Sequence, residues 1–238
     1  MNYPTLCILS YERPDFFSRS MNSLENSRPG VPYQLIIHDD GSAWDDGKLY
    51  NQLTKQASVK GATVVLNKPG HNQGQGVALN RMFKIAQGDY IFKLDADLEY
   101  KSGWLLKAVK LMEDNPEIGL LGLLHYYHEP VDSRKTIIEE FDDWSSHTHI
   151  LGSAFAVRRE TWEELAPFKE HLESFSEDWD FQNRVTKSEK WVCALPKESL
   201  VENFGFGIGK SMVVCEDGSV RKIHTEPYLI GRENENLQ

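Results

Sequence analysis

The chain has 238 residues, 40% of them hydrophobic, 26% charged and 11% aromatic, which suits one large α/β unit and excludes disordered, fibrous and collagen-like chains. Its 36 acidic residues against 26 basic ones give a net charge of −10, which works against attachment to polyphosphate or anionic lipid unless a basic patch or a bound cation intervenes. Cys7, Cys193 and Cys215 are far apart, odd in number and set among apolar neighbours. They read as free, mostly buried thiols of a reducing, cytoplasmic compartment, with no disulfide framework and no paired zinc ligands. The N-terminus lacks a basic region before its apolar run, so no signal peptide is expected there.

In chain order, a strand is expected over residues 5–10, followed by a helix opened by Arg13-Pro14-Asp15 with Phe17, Met21 and Leu24 at helical spacing. A second strand over 34–38 runs into the acidic turn Asp39-Asp40-Gly41-Ser42. A third, over 63–66, leads through a glycine-rich loop over 67–76 into a helix carrying Leu79, Met82, Phe83 and Ala86, closed by Gly88. A strand over 89–94 then delivers Asp95-Ala96-Asp97, and a helix over 102–114 stops at Asn115-Pro116. Strands over 118–124, 150–157 and 191–195 follow, the first too short to cross a bilayer. Between them lie a polar stretch over 129–149, a short helix before Pro167 and a helix started by Glu177-Asp178-Trp179-Asp180. Residues 203–211 read as a loop, and 232–238 as a polar, frayed tail.

Alternating strands and helices imply a mostly parallel sheet, and ligands of such sheets bind beyond the carboxyl ends of the strands. Both acidic clusters fall there. Asp95 and Asp97, one residue apart at a strand end, are expected on one face by the two-residue period of a strand. Two carboxylates so placed suit Mg²⁺ or Mn²⁺, which together with phosphate oxygens stabilise the charge of a departing diphosphate.

Taken together, Ser10-Tyr11-Glu12-Arg13, Asp39-Asp40-Gly41-Ser42, Asn72-Gln73-Gly74, Leu94-Asp95-Ala96-Asp97 and Glu177-Asp178-Trp179-Asp180 form an ordered set over residues 5–210. In that order and spacing the chain resembles the family 2 inverting glycosyltransferases of the GT-A fold. The resemblance implies a single GT-A (Rossmann-like) domain, with a nucleotide-binding half over 1–115 and an acceptor and catalytic half over 116–231. It also implies a nucleotide-sugar donor, UDP-sugar favoured, and a divalent cation. Tyr11 would lie against the base, and Asp40, or alternatively Asp39, would accept from the base N–H. Arg13 and Lys68 would approach base or diphosphate, with Ser10 and Gly74 in the same donor set. Asp95 would sit by ribose and metal, Asp97 would coordinate the metal, and Asp178 would be the catalytic base. His224 would be a third metal ligand, a purely structural histidine being the competing reading. The loop over 205–210 would close over the donor, with Lys210 or Ser211 near phosphate.

Inverting transfer needs one carboxylate to take the acceptor proton and a cation to hold the leaving diphosphate, not the paired carboxylates of a hydrolase. Each motif has a plainer competitor: a polar turn for Asp39-Asp40, dipole-matched helix-start acids for Glu177-Asp178, a core aromatic for Tyr11. Two other functions compete. One is a sugar nucleotidyltransferase, although no lysine-containing phosphate loop follows the first strand; the other is a non-catalytic nucleotide-sugar-binding protein. The acceptor is expected to be a carbohydrate or other hydroxyl: a bacterial surface glycan, a lipid-linked sugar or a hydroxylated base in phage DNA. The net charge opposes DNA unless Arg158, Arg159, Lys187, Lys190, Lys210, Arg221 and Lys222 make a basic surface. Residues 129–149, where the regular pattern fails, are expected to contact the acceptor.

Overall fold

Strand β1 (Pro4–Ser10) is apolar on both faces and almost wholly buried, as a central parallel strand must be when helices cover it on both sides. The computed structural model describes residues 3–42, 63–127, 132–170, 177–204, 210–214 and 220–224, with backbone alone at 63–67, 210–214 and 220–224. After β1 come α1 (Pro14–Asn26), β2 (Gln34–Asp39), β3 (Thr63–Asn67), α2 (Gln75–Ile85), β4 (Tyr90–Asp95), β5 (Leu98–Tyr100), α3 (Trp104–Asp114) and β6 (Ile118–Gly122). Then follow β7 (Ile137–Glu140), β8 (Trp144–His147), β9 (Ala154–Arg158), α4 (Arg159–Leu165), α5 (Glu177–Lys187), β10 (Val192–Pro196) and β11 (Val201–Asn203). Strands β12 (Lys210–Val214) and β13 (Val220–His224) form a separate antiparallel pair.

The main sheet runs β3-β2-β1-β4-β9-β6-β10-β8-β7. Strands β1 to β4 are mutually parallel, as the alternating pattern predicts, and β10 is parallel to β6. Register aligns the strand ends: Ser10 pairs with Asp39, and Leu9 with Asp95. Strand β9 runs antiparallel between β4 and β6, with Ala154 beside Leu94. Because β9 starts where β4 ends, the residues before it are delivered to the carboxyl end of β4.

Alternation along β4 divides the core. Tyr90, Phe92 and Leu94 face the cluster holding Phe17, Met21 and Trp104 of α1 and α3. Ile91 faces the cluster holding Leu79, Met82 and Phe83 of α2, Trp162 of α4 and Phe181 of α5. Phe83 and Phe168 meet edge-on at 5.2 Å, a geometry that contributes about 1 kcal/mol beyond area burial. Cys7 and Cys193 are buried free thiols, as expected, and burial pushes Cys193 up to about 12; Cys215 lies outside the described residues.

Four local expectations need correction. Gly88 does not cap α2, which ends at Ile85; its N–H donates to Thr5 Oγ1 at 2.9 Å, against the start of β1. The polar stretch over 129–149 contains the hairpin β7–β8. The strand expected over 150–157 begins only at Ala154. Residues 201–203 pair with β5 as β11 instead of entering a loop at 203. Of the loop expected over 203–211, Lys210 and Ser211 instead begin β12, while residues 205–209, like the tail, lie outside the described residues.

Candidate active site

The turn after β2 closes on Gly41, whose φ is +81° and whose missing side chain lets the backbone of His71 and Asn72 approach; a Cβ there would lie 2.2 Å from the His71 carbonyl carbon. Asp40 fixes that approach, its carboxylate accepting from the N–H of Gln73 at 3.0 Å and of Gly74 at 2.9 Å, with His38 Nε2 at 3.4 Å. Asp39 is buried, its Oδ1 accepting from Ser42 N and Oγ and its Oδ2 facing Lys68 Nζ at 3.3 Å. The Ser42 hydroxyl in turn accepts from Glu12 N. Tyr11 borders this group: its phenol is pushed up by burial and by the charges of Glu12 and Asp40, against a hydrogen bond with Asn72. Ser10 is buried beneath, its Oγ without a partner among the described residues. Ser10, Tyr11, Asp40, Lys68 and Gly74 therefore lie together at the ends of β1, β2 and β3.

Asp95 and Asp97 come together through a tight turn between β4 and β5, not through the alternation of a strand. Asp97 is buried, with Oδ2 accepting from Arg13 at 3.0 Å and Oδ1 from Asn203 Nδ2 at 3.1 Å. Burial first, and then the charge of Asp95, push its carboxyl up to about 6, against the pull of Arg13 and Lys93. Asp95 is 32% exposed and takes Lys93 Nζ on Oδ1 at 2.6 Å. Lys93 and Asn203 are the supports sequence reasoning missed: a lysine inside an apolar strand and an asparagine 106 residues away carried no local signal.

Helix α5 brings in the third acidic group. Asp178 lies in its first turn, Oδ1 accepting from Trp179 N at 2.9 Å. The His149 ring stacks on Trp179 at 4.2 Å and meets Asn183 Oδ1 at 3.1 Å, while Ile150 N donates to Gln182. These bonds hold the segment before β9 against α5, and Gly152 there packs so closely that a Cβ would lie 1.7 Å from Asp178 Oδ2. Burial raises the Asp178 carboxyl and the charge of Lys93 lowers it. Glu177 is pushed up to about 7, by burial and then by Asp178. Asp180, which contacts Lys169 and Arg184, falls below its ordinary value: burial alone would raise it, and the hydrogen bonds of those two cations outweigh that.

Among the described residues no three acidic, histidine or cysteine side chains form a closed metal cage. Mg²⁺ and Mn²⁺ do not require one, since they bind through one or two carboxylates and fill the remaining positions with phosphate and water. Asp95, part-exposed and held by Lys93 at Oδ1, fits that incomplete set, while Asp97, whose two oxygens already accept from Arg13 and Asn203, has only their remaining lone pairs to offer. The side chain of His224 lies outside the described residues, its backbone paired with Lys210.

A cavity of about 220 Å³ adjoins the site, lined by Leu124, His125 and Tyr126 after β6, by Leu151, and by Glu202 and Asn203 of β11. Of the residues expected to make a basic surface, three of the four whose side chains are described, Arg158, Arg159 and Lys190 but not Lys187, are engaged within the fold. Arg158 donates to the carbonyls of Met112, Asn115 and Ile118, Arg159 to those of Ala86 and Gly88, and Lys190 pairs with Glu164. The side chains of Lys210, Arg221 and Lys222 lie outside the described residues.

The raised acids carry a pH prediction. A carboxyl whose folded-state value exceeds its unfolded one binds more protons when folded, so its contribution is present at low pH and is lost as pH rises through the folded value. For Asp97 that window runs from 3.8 to about 6, and for Glu177 from 4.5 to about 7. The metal-free protein should therefore lose Tm between pH 5 and pH 8, and Glu177→Gln should flatten that slope in a melting series. A Glu177→Gln slope equal to that of the parent would remove Glu177 from the account.

No helix among the described residues is long and apolar enough to cross a membrane. An uncharacterised glycosyltransferase of Methanocaldococcus jannaschii is 28% identical over 144 residues, 59% of this chain and 47% of the relative. The chain spans less than half the length of the curated relatives it matches. By structure it is similar to a mannosyltransferase of Pyrobaculum calidifontis in complex with GDP-Man and Mn²⁺, at TM-score 0.62 and 16% identity over 82% of this chain and 56% of the other. It is also similar to S. aureus TarS in complex with UDP-GlcNAc, at TM-score 0.63 and 15% identity over 84% of this chain and 58% of that one. These likenesses establish the GT-A fold. The sequence pattern of glycosyl transferase family 2 matches residues 5–174, well over half of the chain, and the chain belongs to that family.

Proposed function

We propose that the chain moves one sugar from a nucleotide diphosphate sugar, with UDP as the nucleotide, to an acceptor hydroxyl with inversion at the anomeric carbon. The observation that carries this reading is the gathering of Asp95, Asp97 and Asp178, from parts of the sequence about 80 residues apart, around one buried lysine. Tyr11 and the Asp39–Asp40 turn frame the base, with Lys68 and Arg13 on the diphosphate side. Asp95 and Asp97 would hold a divalent cation, which supplies positive charge for the departing diphosphate. Asp178 takes the proton from the acceptor hydroxyl as the new C–O bond forms and the bond from the anomeric carbon to the phosphate oxygen breaks.

The acceptor enters through the cavity beside the site. Its lining reaches both centres: Leu151 adjoins Gly152, which packs on Asp178, and Asn203 holds Asp97. Its mixture of aliphatic, aromatic and polar groups suits a sugar or polyol better than a nucleic acid, and the occupied Arg158 and Arg159 side chains agree with that. The reading thus divides the chain into a donor half up to residue 115 and an acceptor half after it.

The named neighbours differ in their nucleotide, GDP in one and UDP in the other, so the first test compares nucleotides. Melting curves with UDP, GDP, CMP, dTDP and ADP, each with and without Mn²⁺, should show a rise with UDP and Mn²⁺ together of about 5 to 10 °C at a hundredfold excess over Kd. A rise with GDP instead would replace the donor. No rise with any nucleotide would overturn the transferase reading of the site.

A further inference from the structure

Lys93 is 1% exposed and is one of the largest fully buried side chains of the protein. Along β4 it falls on the side of Ile91, with the Phe155 ring 6.0 Å from its ammonium. Its apolar stem needs no charge at its end, and the sheet would accept leucine or methionine there. An ammonium taken out of water is costly unless carboxylates and carbonyls replace the lost hydration. Two such partners are in place: Nζ donates to Asp95 Oδ1 at 2.6 Å and to the Gly152 carbonyl at 2.6 Å.

Those two acceptors belong to different halves of the reaction. Asp95 stands at the donor end of β4, and Gly152 is the residue on which the Asp178 carboxylate rests. A second link, Asp95 N donating to the Ser153 carbonyl at 3.0 Å, joins the same two segments through backbone alone. The ammonium is therefore a strut between the donor-side carboxylate and the loop that sets the depth of the base. Without it, the Asp95 side chain and the Gly152 carbonyl both lose a charged donor inside the protein, and only backbone pairing of β4 with β9 and the bond from Asp95 N to the Ser153 carbonyl still join the two segments.

We propose that Lys93 is a positioning residue for sugar transfer, holding Asp95 and the Gly152 loop at the spacing that places Asp178 opposite the leaving diphosphate. This rests on the reading of Asp178 as base and Asp95 as donor-side carboxylate. Lys93 touches no substrate and acts through those two groups. Its removal should therefore separate binding from turnover, because a base misplaced by about 1 Å costs about a hundredfold in rate while leaving the nucleotide contacts intact.

The test uses the full chain with Lys93→Met and Lys93→Gln, the second retaining an amide donor without charge. Three quantities are measured: Tm, the Kd of UDP with Mn²⁺ by calorimetry, and kcat and KM for UDP release from a UDP-hexose with water as acceptor. The expected result is a folded protein with UDP·Mn²⁺ affinity within about threefold of the parent, donor KM unchanged and kcat lower by about a hundredfold in Lys93→Met, with Lys93→Gln between the two. A lowered Tm with full kcat in the folded fraction would make Lys93 a structural residue and overturn the proposal, as would failure of both variants to fold. Parallel loss of UDP·Mn²⁺ affinity and kcat would also overturn it, by placing Lys93 in donor binding. Asp178→Asn is run beside them: its full activity would overturn the base reading and this proposal with it, whereas its inactivity beside full kcat in both Lys93 variants overturns this proposal alone.

Discussion

Asp178→Asn should lower kcat for UDP release from a UDP-hexose by between about a hundredfold and ten-thousandfold, the range expected when a positioned general base is removed. Asparagine keeps the shape of the side chain and can still accept the Trp179 N–H that Asp178 Oδ1 takes at 2.9 Å. It also leaves the Asp95–Lys93 pair and the Arg13–Asp97 pair untouched. The thermal shift given by UDP with Mn²⁺ should therefore match that of the parent, so the loss falls on chemistry and not on donor affinity. Tm should rise slightly or hold, because a carboxylate that burial disfavours has been replaced by a neutral group. Retention of more than a tenth of the parental kcat would sink the assignment of Asp178. Glu177, buried and raised, would then become the group to test.

Much of this site can be read in the sequence because strand ends are legible. The turns after β1, β2 and β4 are marked by acids, glycine and polar residues following apolar runs, and parallel order places them on one edge. The start of α5 is likewise marked by its acids, but it is the family resemblance that nominates Asp178 among them, and neither says what it faces. What it faces is set by β9, whose antiparallel insertion between β4 and β6 leaves no local trace. That insertion carries Gly152 to the end of β4 and makes the neighbours of Lys93. Inside Ile91-Phe92-Lys93-Leu94 a lysine reads as an interruption of an apolar run; its burial becomes intelligible only once Asp95 and the Gly152 carbonyl are seen to receive it.

The hairpin β7–β8 was hidden for the opposite reason. Strand β8 is polar yet fully buried, so neither alternation nor hydrophobicity marks it. Its His147 is satisfied from both sides, Nδ1 by the Thr136 hydroxyl and Nε2 by the Ser145 hydroxyl, each at 2.8 Å. Burial and the neighbouring His125 push that imidazole down to about 4, so it stays neutral at physiological pH and the strand buries no net charge there. Strand β7 stands at the sheet edge with all four residues exposed, two of them glutamates, and charge on an edge strand discourages pairing with another chain.

Gly152→Ala should have the second-largest effect, at a residue that carries no functional group. The added methyl would stand 1.7 Å from Asp178 Oδ2 and 2.7 Å from its Cγ, so the carboxylate and the loop cannot both keep their places. The loop has little room to retreat, because Lys93 holds the Gly152 carbonyl and Asp95 N holds that of Ser153. Asp178 is the freer party, since its side chain turns about χ1 while α5 stays packed through Phe181 and Val185. The base should therefore swing away, and kcat should fall about a hundredfold, while crowding costs about 1 to 3 kcal/mol of stability. UDP with Mn²⁺ should still raise Tm by the parental amount. The double variant Gly152→Ala with Asp178→Asn should be no slower than Asp178→Asn alone, because the methyl acts through a carboxylate that is already gone. An additive loss would mean that Gly152 is needed for something other than the base, such as room for the acceptor in the adjoining cavity. An unchanged kcat in Gly152→Ala would mean that Asp178 works from a position off this loop.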